Sequence, residues 1–313
     1  MLLLVLRNPE TQTGGGDSIL HLAAVAGHQE LVQLIVNRCV DIRLAGCNRN
    51  TALHCAAENG HLGVVQYLVG RHANVHITAN GGNTPLHYAA ENGHLEVVKF
   101  LVMHCGADIL NKSQWWGRTA LHYAAAGGNP AMVQFLLDNA IHTREDLGVL
   151  LHEAAELGNL EVVQLLVDRG APVNTVDDGQ TPLHRAIVSG HQEVVRLLVD
   201  CSADIHIPDV EDGMTPLHCA AQFGPLAAVQ LLVVDHSADV NIVSTGRRRV
   251  TPLHCAAQSG QWDVIQFLVE RGADATLVDA DGNTAHDLLN NKNVTRLPGQ
   301  QTTWVALCRV GWG

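Results

Sequence analysis

The sequence predicts an all-α protein, a solenoid of short helix-turn-helix units joined by β-hairpin fingers. Three columns of residues carry that prediction. A histidine recurs as His21, His54, His87, His122, His152, His184, His218 and His254, at intervals of 33, 33, 35, 30, 32, 34 and 36 residues. Six residues after each comes a glycine, from Gly27 to Gly260, and twelve after each comes a polar residue such as Gln33, Lys99 or Arg196. A period near 33 marks supersecondary units that share one continuous core.

The unit is clearest from Thr84 to Val102. Thr84 is a good N-cap, and Pro85 suits the first helical position because its missing N–H would be unpaired there anyway. Leu86, Ala89 and Ala90 give a short helix with a small apolar face, and Gly93 permits a left-handed cap. The second helix sets Leu95, Val97, Val98, Leu101 and Val102 against Glu96 and Lys99. Two helices of about two turns each are not stable alone, so each pair needs its neighbours. The run Thr-Pro-Leu-His, then Ala-Ala, Gly and an apolar helix, resembles the ankyrin repeat. Thr84, Thr181, Thr215 and Thr251 open runs with all four Thr-Pro-Leu-His residues, whereas Thr51 and Thr119 are followed by Ala in place of Pro. The resemblance implies an ankyrin-repeat solenoid of about eight full repeats and a degenerate ninth over residues 14–292.

Taken in order, residues 1–13 contain Leu2 to Leu6, which fits either a partial repeat covering the first full one or a frayed terminus. Ser18 replaces Thr as the first cap. Repeats two and three follow the pattern, with Asn80-Gly81-Gly82-Asn83 as turn chemistry for a finger. The fourth finger is longer and carries Trp115 and Trp116. The fifth repeat lacks Thr and Pro. There Thr143 with Asp146 reads as a cap with an acidic third position, predicting a longer helix over 144–157, no finger, and a place where the stack bends or loosens. Repeats six to eight recover the pattern from Thr181, Thr215 and Thr251. In the ninth, Thr284 begins a helix and Asp287 stands at the histidine position, a substitution the resemblance associates with terminal repeats. The tail, 293–313, has no helical period, and its Thr302 to Leu307 reads as a strand or as disorder.

Lys and Arg number 19 against 31 Asp and Glu, a formal charge of −12. That disfavours nucleic acid and anionic membranes as partners and favours proteins with basic surfaces. No apolar run approaches the ~20 residues of a membrane span. The eight cysteines form no C-x-x-C pair, and free thiols suit a reducing compartment, so a cytoplasmic or nuclear location is expected. No catalytic set, phosphate loop or H-E-x-x-H is present, so no enzyme activity, cofactor or metal is expected. His72 and His76 have ligand-like spacing but lack a third ligand nearby. The motif histidines read as structural, a buried imidazole needing partners for its ring nitrogens; the resemblance likewise implies that each ties the Thr hydroxyl to neighbouring backbone.

Binding has better support. The resemblance implies a concave surface made by finger tips and first helices, presented to a protein partner by a monomer. Its candidate contacts are Trp115, Trp116, Tyr88, Tyr123, Glu58, Glu91 and Phe223. Aromatic side chains on an exposed finger are the anchors that dominate interface energy, although one Trp folded back as packing is the alternative. Arg247, Arg248 and Arg249 either grip an acidic peptide or phosphate, or pair with Asp209, Glu211 and Asp212 one finger away. Two readings stand: a non-catalytic interaction scaffold centred on repeats two to four, or a substrate-recruiting or regulatory subunit, or fragment, of a larger enzyme complex.

Overall fold

The computed structural model describes residues 14 to 291 except 15, 39 and 116. The expected partial repeat at 1–13, the tail at 293–313 and Trp116 therefore lie outside the described residues. The chain divides into two compact units, Met1–His142 and Thr143–Gly313.

Among the described residues the first unit holds four helix pairs: α1 (Ile19–Val25) with α2 (Gln29–Val36), α3 (Ala52–Glu58) with α4 (Leu62–Gly70), α5 (Pro85–Glu91) with α6 (Leu95–Met103), and α7 (Ala120–Ala126) with α8 (Pro130–Asn139). Each first helix packs on its own partner and on the first helix of the next repeat, α1 on α3, α3 on α5 and α5 on α7. Small side chains permit that approach: Ala56, Ala57, Ala89 and Ala90 are all buried, with Leu53, Leu86, Val64, Val65 and Leu68 filling the layers between. Single pairs have no such layer of their own, so stability accrues at the neighbour interfaces.

The motif histidine works as the third residue of each first helix in this unit. In repeat three the Thr84 N–H donates to His87 Nδ1 at 3.1 Å, and the Thr84 hydroxyl lies 2.8 Å from the same nitrogen. Nδ1 is thus the acceptor and Nε2 carries the proton, which it donates to the Asn111 carbonyl at 3.0 Å. One imidazole closes its own helix start and ties it to the following finger. The same arrangement holds at His54, His184, His218 and His254.

A second brace runs the other way. The ring following the motif glycine reaches back to the preceding repeat: His61 Nε2 donates to the Val25 carbonyl at 2.8 Å and His94 Nε2 to that of Glu58 at 2.9 Å. The ring lies where a side chain on the preceding glycine would be, so a methyl at Gly60 would run into His94. Gly60 also has φ +73, a conformation other residues adopt only with strain.

The second unit holds α9 (Arg144–Leu157) with α10 (Leu160–Asp168), α11 (Pro182–Val188) with α12 (Gln192–Asp200), α13 (Pro216–Phe223) with α14 (Leu226–Gln230), α15 (Pro252–Ser259) with α16 (Trp262–Glu270), and α17 (Ala285–Asn291). The long α9 occurs where the sequence places it. Its Thr143 hydroxyl accepts from the Asp146 N–H at 3.1 Å, and the Asp146 carboxylate accepts from the Thr143 N–H at 3.0 Å. Lacking the threonine, His152 turns Nδ1 to the Gly148 carbonyl at 2.9 Å but keeps Nε2 on the next turn, 3.0 Å from the Gln180 carbonyl. At α17 a carboxylate replaces the ring: Asp287 accepts from the Thr284 hydroxyl at 2.6 Å and from its N–H at 2.9 Å.

Repeat seven departs from the expected pattern twice. Gly224 is extended, φ −85 and ψ 164, because it precedes Pro225, whose ring disfavours the helical region for the residue before it. One extra residue in its second helix is absorbed as a π segment, Leu231–Asp235, following α14. The Ala238 N–H accordingly reaches the Leu232 carbonyl, where Ala203 in repeat six reaches Leu198.

The fingers are hairpin turns whose pairing is reduced, among the described residues, to isolated bridges such as Asp177–Gln180 and Val278–Thr284. Several are also bonded to one another. The Gln114 N–H donates to the Gly81 carbonyl at 2.7 Å, Val210 to Gly179 at 2.9 Å, Thr245 to Gly213 at 3.0 Å and Ala280 to Arg248 at 2.9 Å. These fingers are closed by single bonds of their own, such as the Ala79 N–H on the Asn83 carbonyl at 2.9 Å, and are held to their neighbours as well.

Candidate partner-binding face

In the first unit the finger bond fixes Trp115. Its indole lies against the neighbouring finger, where a methyl on Gly81 would stand 3.3 Å from Cε3. Only glycine, here at φ +83, lets the ring approach that closely. Even so Trp115 is 74% exposed. The ring thus has the Gly81 backbone close beside it and is otherwise open.

The two tyrosines are placed differently. Tyr88 stands edge-on to His54, with centroids 5.8 Å apart at 88°, and Tyr123 stands edge-on to His87, 5.6 Å apart at 87°. The Tyr123 hydroxyl donates to Asn83 Oδ1 at 3.1 Å. Each ring thus shields the motif imidazole of the preceding repeat, and both are half-buried. The Tyr123 hydroxyl thus reaches the same finger, at Asn83, whose Gly81 lies beside Trp115.

Glu58 and Glu91 occupy equivalent positions of α3 and α5. Burial, and then the Glu91 charge, raises the Glu58 carboxyl above its ordinary range. Burial foremost, with the Glu58 carboxylate next, raises the Tyr88 phenol. No ion pair satisfies either carboxylate among the described residues. Glu58, Glu91 and Tyr88 thus set acidic and aromatic side chains close together.

The second unit presents a different face. Phe223 ends α13 and is 55% exposed, and Val188 and Leu157 are exposed at neighbouring positions of α11 and α9. Among the described residues, Arg247, Arg248 and Arg249 make no ion pair with Asp209, Glu211 or Asp212. Asp209 is occupied in its own turn, accepting from the N–H groups of Asp212 and Met214, both at 3.0 Å. Arg248 instead donates from Nη2 to Gln258 Oε1 at 2.8 Å. Arg185 is the cation that is neutralised here, 2.9 Å from Glu156 and 3.7 Å from Asp178.

The seating of Trp115 on Gly81 and the reach of Arg248 to Gln258 are not evident from residue columns, since both depend on how adjacent fingers dock. The signal available was the glycine at the tip of the preceding finger. His72 and His76 are both exposed or part-exposed, and among the described residues no three His, Cys, Asp or Glu side chains converge as a metal site would require. Nor is any described helix long and apolar enough to cross a membrane.

A family model described as ankyrin repeats (3 copies) matches residues 1–80, 21–113, 71–147, 104–177, 146–209 and 207–279. Among solved structures the chain is similar to the human ASB11 ankyrin repeat domain, at 27% identity and a TM-score of 0.59, over 64% of this chain and 90% of that one. A search of curated proteins found no match.

Proposed function

This chain belongs to the ankyrin-repeat family, whose members are generally protein–protein interaction modules, and from that premise we propose that it is a non-catalytic scaffold binding a protein partner on its finger and first-helix surface. The single observation that carries the reading is Trp115, a large aromatic side chain left open to solvent while its ring lies against Gly81 of the preceding finger and the adjacent Gln114 N–H is bonded there. An aromatic anchor held in place before binding is what an interface hot spot requires, worth about 2 kcal/mol or more when covered. Glu58 and Glu91 beside Tyr88 favour a partner that brings lysine or arginine to repeats two and three.

The chain acts as a monomer, its rigid surface doing the work. Six described cysteines are free thiols, which suits the reducing cytoplasm or nucleus. The face would serve equally within a larger enzyme complex as the part that recruits a substrate, and the chemistry of recognition would be the same.

Trp115→Ala tests the reading. With helical circular dichroism unchanged, it is expected to weaken binding of captured partners, remeasured in purified form, by roughly thirtyfold, the equivalent of about 2 kcal/mol. Binding equal to that of the unsubstituted chain would remove Trp115 from the interface.

A further inference from the structure

The reading above leaves the second unit's face without a role, and its chemistry is not that of the first. Along the first helices of repeats five to eight, the two positions before the motif glycine are Glu156-Leu157, Val188-Ser189, Gln222-Phe223 and Gln258-Ser259. Leu157, Val188 and Phe223 are exposed there, and Ser189 and Ser259 leave small steps on either side of Phe223. At the repeat-eight end the row meets a cation, because Arg248 crosses from its finger to Gln258.

That cation is held in place. The eighth finger is closed by the Ser244 N–H on the Val250 carbonyl at 2.8 Å and is bonded on both sides, to Gly213 through Thr245 and to Ala280 through the Arg248 carbonyl. Arg248 has no carboxylate partner among the described residues, whereas Arg185 at the other end of the row is already neutralised by Glu156 and Asp178. A row that is apolar in its middle, neutralised at one end and cationic at the other has one complementary occupant. We propose that the second unit carries its own binding surface for an extended apolar protein segment with an aspartate or glutamate at the end that meets Arg248. Phe223 covers the apolar residues, and Arg248 receives the carboxylate as a charge-assisted pair. This rests on the interaction-module reading but assigns a distinct surface and a partner chemistry opposite to that of the acidic, Trp115-bearing face.

The test uses the full chain and a random peptide library displayed on phage, followed by the selected peptides as free synthetic segments. A class of peptides is expected that carries Asp or Glu next to apolar residues. Their affinity should fall at least about tenfold in Phe223→Ala and in Arg248→Glu, with Trp115→Ala unchanged, since truncating one partner of such a pair acts locally. Replacing the peptide's acidic residue by Lys should restore binding to Arg248→Glu, a rescue that general destabilisation would not produce. Selected peptides with no acidic preference, or no charge-swap rescue, would overturn the proposal while leaving the Trp115 face intact. Displacement of the peptides by inorganic phosphate alone would also overturn it, by marking Arg248 as a phosphate site. Partner binding left unchanged by Trp115→Ala, with these peptides still bound, would instead count against the first reading only.

Discussion

Leu183→Asp is expected to unfold the repeats around it. Leu183 is 0% exposed, on α11, which packs against α9 and α13, first helices whose Leu151, Ala154 and Leu217 are likewise buried. A carboxylate there loses its hydration without gaining a partner, and the leucine's packing is lost as well, together costing about 5 kcal/mol. That is comparable with the whole stability of a typical domain. Because each repeat leans only on its neighbours, the damage should begin in repeats five to seven. Urea titration followed by circular dichroism measures it: a large fall in midpoint is expected, and a near-native curve would contradict the packing described above.

Acid is expected to act nearly as strongly, through the histidine columns. Burial, foremost, holds the His54 and His218 imidazoles down to about 4 against an ordinary 6.5. His87, His184 and His254 are lowered for the same leading reason. Their carbonyl partners oppose the shift but do not cancel it. The folded state therefore binds protons later than the unfolded chain does. The stability these groups contribute is fully present above the unfolded value of 6.5 and is lost as pH falls from there toward 4. Near pH 5, His54 and His218 each forfeit about 2 kcal/mol, with the three others adding to it. The structural cause is visible at each site: Nδ1 accepts from a threonine N–H, and protonating it sets two donors face to face. Chemical denaturation at pH 7.5 and near pH 5 should show a fall of several kcal/mol. A flat profile across that window would mean the rings are not held neutral as described.

The repeats were legible because their signals are local. Thr84, Pro85 and His87 state where a first helix begins, and Thr143 with Asp146 states that α9 starts early. Each of these is a choice of residue type within a few positions, which spacing can report. The motif histidine was equally readable as structural, since a ring at the third helical position had a capping partner three residues before it. The departures come from competition between neighbours in the chain. Gly224 obeys Pro225 rather than the motif, and the extra residue after Leu231 is taken up inside the helix rather than in the loop that follows it, as happens in repeat three.

The candidate site was legible only as a set of positions. Tyr88 and Tyr123 were proposed as contacts, yet their depth depends on the imidazole of the preceding repeat, a relation across about 34 residues that composition does not express. Whether Arg248 pairs with an acid or an amide is decided by which finger residues are already engaged in their own turns. Asp209 is so engaged, and Gln258 lies within reach.

The central claim is that stacked pairs stabilise one another and leave the finger and first-helix surface free to bind. Hydrogen–deuterium exchange of the full chain, with and without a captured partner, tests it most directly. Added protection is expected in the fingers and first helices, over residues 80–91 and 113–126 for a Trp115-dependent partner, and the second helices should be unchanged. Protection confined to α4, α6 and α8, with the fingers exchanging as before, would contradict it.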